Sequence, residues 1–210
     1  MTSEKIPSKL LMRLPIYLNY VKSLPESTQN ISATQMAKAL GLGDVMVRKD
    51  LAKVSSGGRR KLGYLRETLT ADIERFLDVP VTTDAVVIGA GRLGQALLDY
   101  EGFDKSGLNI MAGFDLTDSV RYTSSGHPIY PVEQLASFCR DNQIRIAVIT
   151  VPVDQAQACC DKAVEAGIDA IWNFAPIHLR VPSHVILQNE NLAASLTSLR
   201  MQLRHMEKLA

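Results

Sequence analysis

Apolar side chains in the first part of the chain recur at helical spacing. Leu10, Leu14, Tyr17, Leu18, Val21 and Leu24 mark one face of a helix that Pro25 stops. Ser32 followed three residues later by Gln35 has the form of a capping box, after which Ala33, Met36, Ala37 and Leu40 give a second, short apolar face. Gly41-Leu42-Gly43 reads as a turn, and Asp44 as the cap of a third helix that turns Val47, Leu51 and Val54 inward. Helix, glycine-containing turn, helix is the helix-turn-helix pattern. The glycine pair and basic tip of residues 55–64 predict a hairpin wing, and a further helix over 67–77 leads to Pro80.

Beyond residue 80 the period changes. Short apolar runs at 85–88, 109–114, 144–150, 170–174 and 185–187 predict strands, and the stretches 92–101, 131–141 and 154–166 predict helices between them. Such alternation predicts a parallel sheet covered by helices on both faces. Leu192, Leu196, Leu199, Leu203 and Met206 then follow one another at steps of four and three, an apolar seam two heptads long. A seam of this kind docks on a partner or lies on its own domain, and its position at a chain end favours a dimer helix. The expected fold is therefore α/β: an N-terminal winged helix-turn-helix over 1–78, a Rossmann-like parallel-sheet domain over 79–189, and a C-terminal dimerisation helix over 190–210.

Charge sharpens this division. Residues 1–66 carry twelve Lys and Arg against four Asp and Glu, while the rest of the chain carries eleven against eighteen. A net +8 beside a net −7 suggests one part made for a polyanion and one part that is not. No apolar run is long enough to span a bilayer, and MTSEKIPSKLL lacks the apolar core of a secretory signal. The three cysteines, Cys139, Cys159 and Cys160, have neither the number nor the spacing of a disulfide framework or a zinc site. A cytoplasmic protein is expected.

Gly89-Ala90-Gly91-Arg92-Leu93-Gly94 is a GxGxxG motif that directly follows a predicted strand and opens a predicted helix. Gly89 allows the tight turn, Gly91 leaves room for a pyrophosphate, and Gly94 lets helix and strand pack closely. Asp115 ends the next strand, where a carboxylate accepts hydrogen bonds from an adenosine ribose and repels a 2′-phosphate. NAD(H) is thus expected in preference to NADP(H). Hydride transfer would also need a substrate pocket and usually an acid or base. His127, His178, His184 and His205 stand in no recognisable catalytic setting and read as surface residues, so no enzyme is expected.

In the third helix Met46, Lys49 and Lys53 share a face, with Arg48 beside them and Asp50 placed to orient one of these cations. Such a face suits a major groove. Arg59, Arg60 and Lys61 at the wing tip suit phosphates or a narrow minor groove.

Taken together, VRKDL (47–51), the wing (57–64), GAGRLG (89–94), DYEGF (99–103), ITVP (149–152), EAGIDAIWNFAP (165–176) and NLAASL (191–196) make the chain resemble the Rex family of redox-sensing transcriptional repressors along nearly its whole length. The resemblance implies a homodimer with exchanged C-terminal helices, a palindromic double-stranded operator, and NADH that lowers operator affinity in competition with NAD⁺. It implies that Arg48, Lys49, Arg60 and Lys61 contact DNA, that residues 89–94 hold the pyrophosphate, and that Asp115 holds the ribose. It also implies that Tyr100 lies near the nicotinamide, with Pro152 and Asn173-Phe174-Ala175-Pro176 lining the pocket. Two departures stand out. Ala52-Lys53-Val54-Ser55 replaces the Ser-Tyr-Phe-Gly of many members. Asn19 and Asn191 occupy the places where some members carry an arginine and an aspartate that link the domains. The residues alone leave two alternatives open, an NAD-dependent oxidoreductase and a CoA-binding regulatory module.

Overall fold

The computed structural model describes residues 7–77, 82–104 and 107–208. The chain divides into two compact units, Met1–Val81 and Thr82–Ala210. The expected boundary at 78/79 and Pro80 lie outside the described residues.

In the first unit, α1 (Ser8–Ser23), α2 (Ala33–Leu40), α3 (Asp44–Val54) and α4 (Arg66–Phe76) enclose a core that includes Leu14, Tyr17, Met36, Val47, Leu51, Leu69 and Ile73. The capping box at the start of α2 is present in both directions between Ser32 and Gln35, and Gly41 ends that helix in the left-handed region at φ +64°. Asp44 is not the cap of α3. Gly43 holds that position without a side-chain bond, and Asp44 is the first helical residue, accepting from Thr34 Oγ1 at 2.8 Å and Arg48 Nη2 at 2.6 Å. A carboxylate in the first turn still suits the positive end of the helix dipole.

The wing is smaller than a full hairpin. Arg59 and Gly63 exchange N–H···O bonds at 2.8 and 2.9 Å, with Lys61 at the apex at φ +70°. The strand partner is β1 (Asn30–Ile31), which pairs antiparallel with β2 (Tyr64–Leu65) through Asn30–Leu65 and Ile31–Tyr64. Two-residue strands are too short to leave a periodic signal.

Asp50 turns away from the basic face, contrary to expectation. At 100° per residue it falls on the same side of α3 as Val47, Leu51 and Val54. Asp50 is 6% exposed as a residue, and its carboxylate accepts from Arg13 Nε at 2.7 Å, Arg13 Nη2 at 2.9 Å and Tyr17 Oη at 2.9 Å. A two-pronged guanidinium bond supplemented by a phenol satisfies a carboxylate that burial would otherwise penalise. Burial, then the bond to Asp50, pushes the Tyr17 phenol up to about 12.

Among the described residues, the second unit is built on one seven-stranded sheet. Its strands are β3 (Thr83–Ile88), β4 (Leu108–Asp115), β5 (Arg121–Tyr122), β6 (Pro128–Pro131), β7 (Ile146–Ile149), β8 (Ala170–Asn173) and β9 (Ile186–Asn189). Their order is β5-β6-β4-β3-β7-β8-β9, and every pair is parallel except β5–β6. Between them run α5 (Arg92–Leu98), a 3-10 turn (Val132–Gln134), α6 (Leu135–Asp141) and α7 (Val153–Glu165), and α8 (Leu192–Glu207) follows. Without β5 this is the doubly wound order 3-2-1-4-5-6, and β3 and β7 flank the point where the order reverses. Ala85, Val86, Val87 and Ile88 are all at most 1% exposed, as a central parallel strand requires.

Several boundaries move by a few residues. The first helix of this unit stops at Leu98 rather than at 101, and the predicted helix over 131–141 begins as a 3-10 turn after a strand, β6, that the periodicity did not reveal. Burial pushes the Cys139 and Cys160 thiols up to about 11, so they act as small apolar side chains. Among the described residues, no helix is long and apolar enough to cross a membrane.

Substituting Tyr17→Phe should lower the stability of the first unit by about 1–3 kcal/mol, because Asp50 loses one of its donors. Titration should show the same contact. The raised phenol pKa adds stability below pH 10, and that contribution should fade as pH rises from 10 toward about 12, where the folded form ionises. Chemical denaturation of both proteins across pH 8–12 checks this; a Tyr17→Phe protein with the same alkaline slope as its parent would be inconsistent with the contact.

Candidate functional site

The site begins where β3 ends. Gly89 adopts φ +98°, and its N–H donates to the Phe114 carbonyl at 2.8 Å. A Cβ on Gly89 would stand 2.7 Å from Val151 Cγ1, and a Cβ on Gly94 would overlap the Gly89 carbonyl oxygen. That oxygen also accepts from Thr150 Oγ1 at 2.6 Å. The loop is therefore pressed against the carboxyl end of β7. Gly91 differs: nothing lies within 4 Å of a Cβ built there, and as N-cap of α5 it offers no side-chain cap to the helix. Arg92 and Leu93 open the helix on an exposed face, while Ala90 is buried. This combination, two glycines packed against protein and one beside open space, fits a pyrophosphate that would take its hydrogen bonds from the loop amides.

Asp115 ends β4 beside this loop. Its Oδ2 accepts from the Ala90 N–H at 2.9 Å and its Oδ1 from the Leu116 N–H at 2.7 Å, while Arg121 Nη2 stands 4.0 Å away. Two backbone amides fix the carboxylate and leave acceptor capacity for a ribose diol. Beside it lies a cavity of about 270 Å³ lined by Gly89, Asp115, Leu116, Val151, Cys159 and Lys162, among others.

Pro152 is exposed at the end of β7, where it is the N-cap residue of α7. Asn173 is fully buried at the end of β8. Its amide donates to the carbonyls of Ala175 at 3.1 Å and Ile177 at 2.9 Å and to Asn189 Oδ1 at 2.9 Å, and its oxygen accepts from the Ala175 N–H at 2.9 Å. This network holds Phe174, Ala175 and Pro176 in a tight turn at the same edge of the sheet. Tyr100 is not brought to that edge. It lies two residues past the far end of α5, 59% exposed, with its ring edge-on to Phe103 at 4.9 Å. Contacts do run from it toward the turn: Phe103 meets Trp172 at 5.7 Å, and Trp172 meets Phe174 at 4.6 Å.

His127 is not a solvated surface histidine. It is half-buried, with Nδ1 3.1 Å from Asp99 Oδ1. Asp99 also accepts from Thr123 and Ser124, and these bonds, that of Thr123 foremost, hold its carboxyl below the ordinary 3.8. His178, His184 and His205 are exposed.

On α3, Arg48, Lys49 and Lys53 are exposed and Met46 is half-buried at their side. Arg59, Arg60 and Lys61 are exposed at the wing. Arg48 is paired with Asp44; among the described residues no ion pair involves Lys49, Lys53, Arg59, Arg60 or Lys61. Uncompensated cations of this kind remain available to phosphates.

The family described as CoA binding domain matches residues 81–177, and the family described as putative DNA-binding protein N-terminus matches residues 5–52. The redox-sensing transcriptional repressor Rex of Porphyromonas gingivalis is 38% identical over 91% of this chain and 89% of its own length. That of Levilactobacillus brevis is 35% identical over 98% of both chains. The chain belongs to the Rex family of redox-sensing transcriptional repressors. Among solved structures, RSP, a Rex-family repressor, matches at 33% identity with a TM-score of 0.85, covering 98% of this chain and 97% of its own. The same protein solved with β-NADH matches at 32% with a TM-score of 0.86, covering 99% and 98%. Solved with β-NAD⁺ and operator DNA, it matches at 33% with a TM-score of 0.85, covering 99% and 96%.

Several site features were not legible beforehand. Thr150 binds the loop carbonyl, and Cys159 and Lys162 face the cavity from α7, whose opposite side buries Ala156, Cys160 and Ala163. Only the 3–4 residue spacing along α7 hints at two faces, and nothing in it says which faces the loop. The Asp99–His127 cluster joins residues 28 apart and leaves no local signal.

The glycines should separate by experiment. Gly94→Ala should cost roughly 1–3 kcal/mol or more, since the clash is with backbone that cannot swing aside. Gly91→Ala should melt within about a degree of the parent, because its methyl enters open space. Thermal denaturation of both variants measures this; equal losses would contradict the geometry.

Proposed function

We propose that this protein is a homodimeric repressor of palindromic operator DNA that senses the NADH/NAD⁺ ratio, NADH lowering its affinity for DNA. The observation that carries the reading is the Asp115–Ala90 bond. It ties a ribose-binding carboxylate to the glycine loop at the switch point of the sheet, in a chain whose other unit is a helix-turn-helix with exposed cations on α3 and at the wing. The Rex-family relative solved with β-NADH, and with β-NAD⁺ and operator DNA, supports it.

The bound dinucleotide is a signal rather than a reactant: it supplies a nicotinamide that is neutral when reduced and charged when oxidised. Gly89, Gly91 and Gly94 admit the pyrophosphate, Asp115 holds the ribose and disfavours a 2′-phosphate, and Pro152 with the turn 173–176 borders the ring. An apolar turn of this kind favours the neutral ring, since a charged one is costlier to desolvate. Tyr100 acts at the far end of the aromatic row. Lys49, Lys53 and Met46 face bases, while Arg48, Arg59, Arg60 and Lys61 neutralise phosphates. Among the described residues that line the cavity beside the loop there is no histidine, and we read the protein as one that turns over no substrate. It acts in the cytoplasm, where NADH and the operator are both present.

Dimerisation is supported by α8. Leu192, Leu196, Leu199, Leu203 and Met206 are 57–69% exposed, and the helix has no buried residue. Leaving such a stripe in water is unfavourable, and a second copy covers it.

The match to a CoA binding domain family keeps one alternative specific, that CoA is the ligand. A thermal-shift comparison should show stabilisation by NADH well above that by NADPH or CoA; stabilisation by CoA alone would replace the reading. Fluorescence anisotropy on a palindromic operator should show tight binding that NADH weakens. Lys49→Ala should lose roughly 1–3 kcal/mol of specific binding, and Arg60→Ala should reduce the slope of affinity against salt by about one contact. Unchanged operator affinity in the double variant would remove the DNA assignment.

A further inference from the structure

Trp172 is the single tryptophan of the chain. It stands in β8, and its ring is flanked edge-on by Phe103 at 5.7 Å and by Phe174 at 4.6 Å. Its indole N–H donates to Glu190 Oε1 at 3.1 Å, and Gln188 Nε2 donates to the same oxygen at 3.3 Å. The Glu190 N–H in turn donates to the Asn173 carbonyl at 2.8 Å. The next residue, Asn191, is the N-cap of α8, with Oδ1 accepting from the Ala194 N–H at 2.8 Å.

One residue therefore separates the indole's anchor from the first turn of α8. That helix buries none of its own residues, so within the chain its direction is set at its root by the bonds of residues 189–191. Sixteen residues make a rod of about 24 Å, and a turn of about 10° at the root moves its tip by roughly 4 Å.

We propose that the Trp172–Glu190 hydrogen bond is a positioning contact that makes the direction of α8 depend on occupancy of the turn 173–176, and so couples the cofactor to operator affinity. The inference rests on the reading of this protein as an NADH-responsive dimeric repressor. Phe174 belongs to the turn, and its ring touches the indole. A ring seated against Phe174 changes the space left to Trp172. The indole N–H bond is directional and weakens steeply off axis, so a small displacement makes or breaks it. A contact present in one arrangement and absent in the other is what lets a ligand shift an equilibrium. Asn19 and Asn191 cannot form an ion pair, and the Trp172–Glu190 bond supplies a coupling element beside that position.

The test uses the full-length protein and three variants: Trp172→Phe, which keeps an aromatic ring but loses the donor, Glu190→Ala, and Glu190→Gln, which keeps an acceptor oxygen. NADH affinity is read from cofactor fluorescence, and operator affinity from anisotropy with and without saturating NADH. Trp172→Phe and Glu190→Ala should bind NADH and free operator within about twofold of the parent, while the loss of operator affinity on adding NADH shrinks by about tenfold. Glu190→Gln should retain the response. The emission of the single tryptophan should shift in Glu190→Ala and return toward the parent in Glu190→Gln. If Trp172→Phe and Glu190→Ala release operator on NADH as the parent does, the inference is overturned alone. If the parent itself ignores NADH, the functional reading fails and takes the inference with it.

Discussion

The carbonyl oxygen of Gly89 lies where no side chain on Gly94 would fit, and it accepts the hydroxyl of Thr150 on the other side. That crowding locks the end of β3 to the start of α5 and to the end of β7, and much else follows from it. The turn must be made in the left-handed region, which selects glycine at residue 89. Helix α5 must leave the sheet at once, so its N-terminus begins at the carboxyl end of β3, the strand that pairs with β7. Asp115, one strand away, then lies within reach of the Ala90 amide and becomes part of the loop instead of a free surface carboxylate.

The first unit is organised by a different contact. Asp50 sits between Arg48 and Lys49 on one side and Leu51 on the other, yet its carboxylate is buried against Arg13 and Tyr17. Burying a charge is tolerable only with its partners in place. Because Arg13 approaches with two nitrogens, the rotation of α3 about its axis is constrained. The same rotation that buries Val47 and Leu51 leaves Lys49 and Lys53 in solvent. A basic face is thus the outer side of a buried ion pair.

Exposed apolar side chains recur along α8, whereas the strands of the sheet are closed by α5, α6 and α7. The aromatic row from Tyr100 through Phe103 and Trp172 to Phe174 lies on the thinner of the two sheet faces, where only the smaller core cluster covers it. A regulator benefits from such a distribution. Well-packed strands hold the glycine loop rigid, and the parts left without internal packing are those whose position a ligand or a second copy can change.

Much of this was legible in the amino-acid pattern because it is local. Helical and strand periods, the Ser32–Gln35 box, the glycine spacing and an aspartate at a strand end each act within a few residues, and the structure has them where the pattern places them. The α/β class and the two kinds of unit follow from these signals alone. What the pattern misplaced was non-local or very short. Asp44 gave up the cap to Gly43, and Asp50 turned inward because an arginine 37 residues earlier was there to meet it. The two-residue strands β1, β2 and β5 are too short to carry a period, and β6 begins and ends in proline, which reads as loop. Tyr100 stands at the end of α5 opposite the loop, two residues past Leu98, where that helix stops earlier than the pattern indicates. Lys162, Thr150 and the Asp99–His127 pair join the site or its surroundings through distances that only folding closes. A sequence records which side chains repeat on which face of an element. Which faces meet is decided by the summed packing of the whole chain, and so by tertiary structure alone.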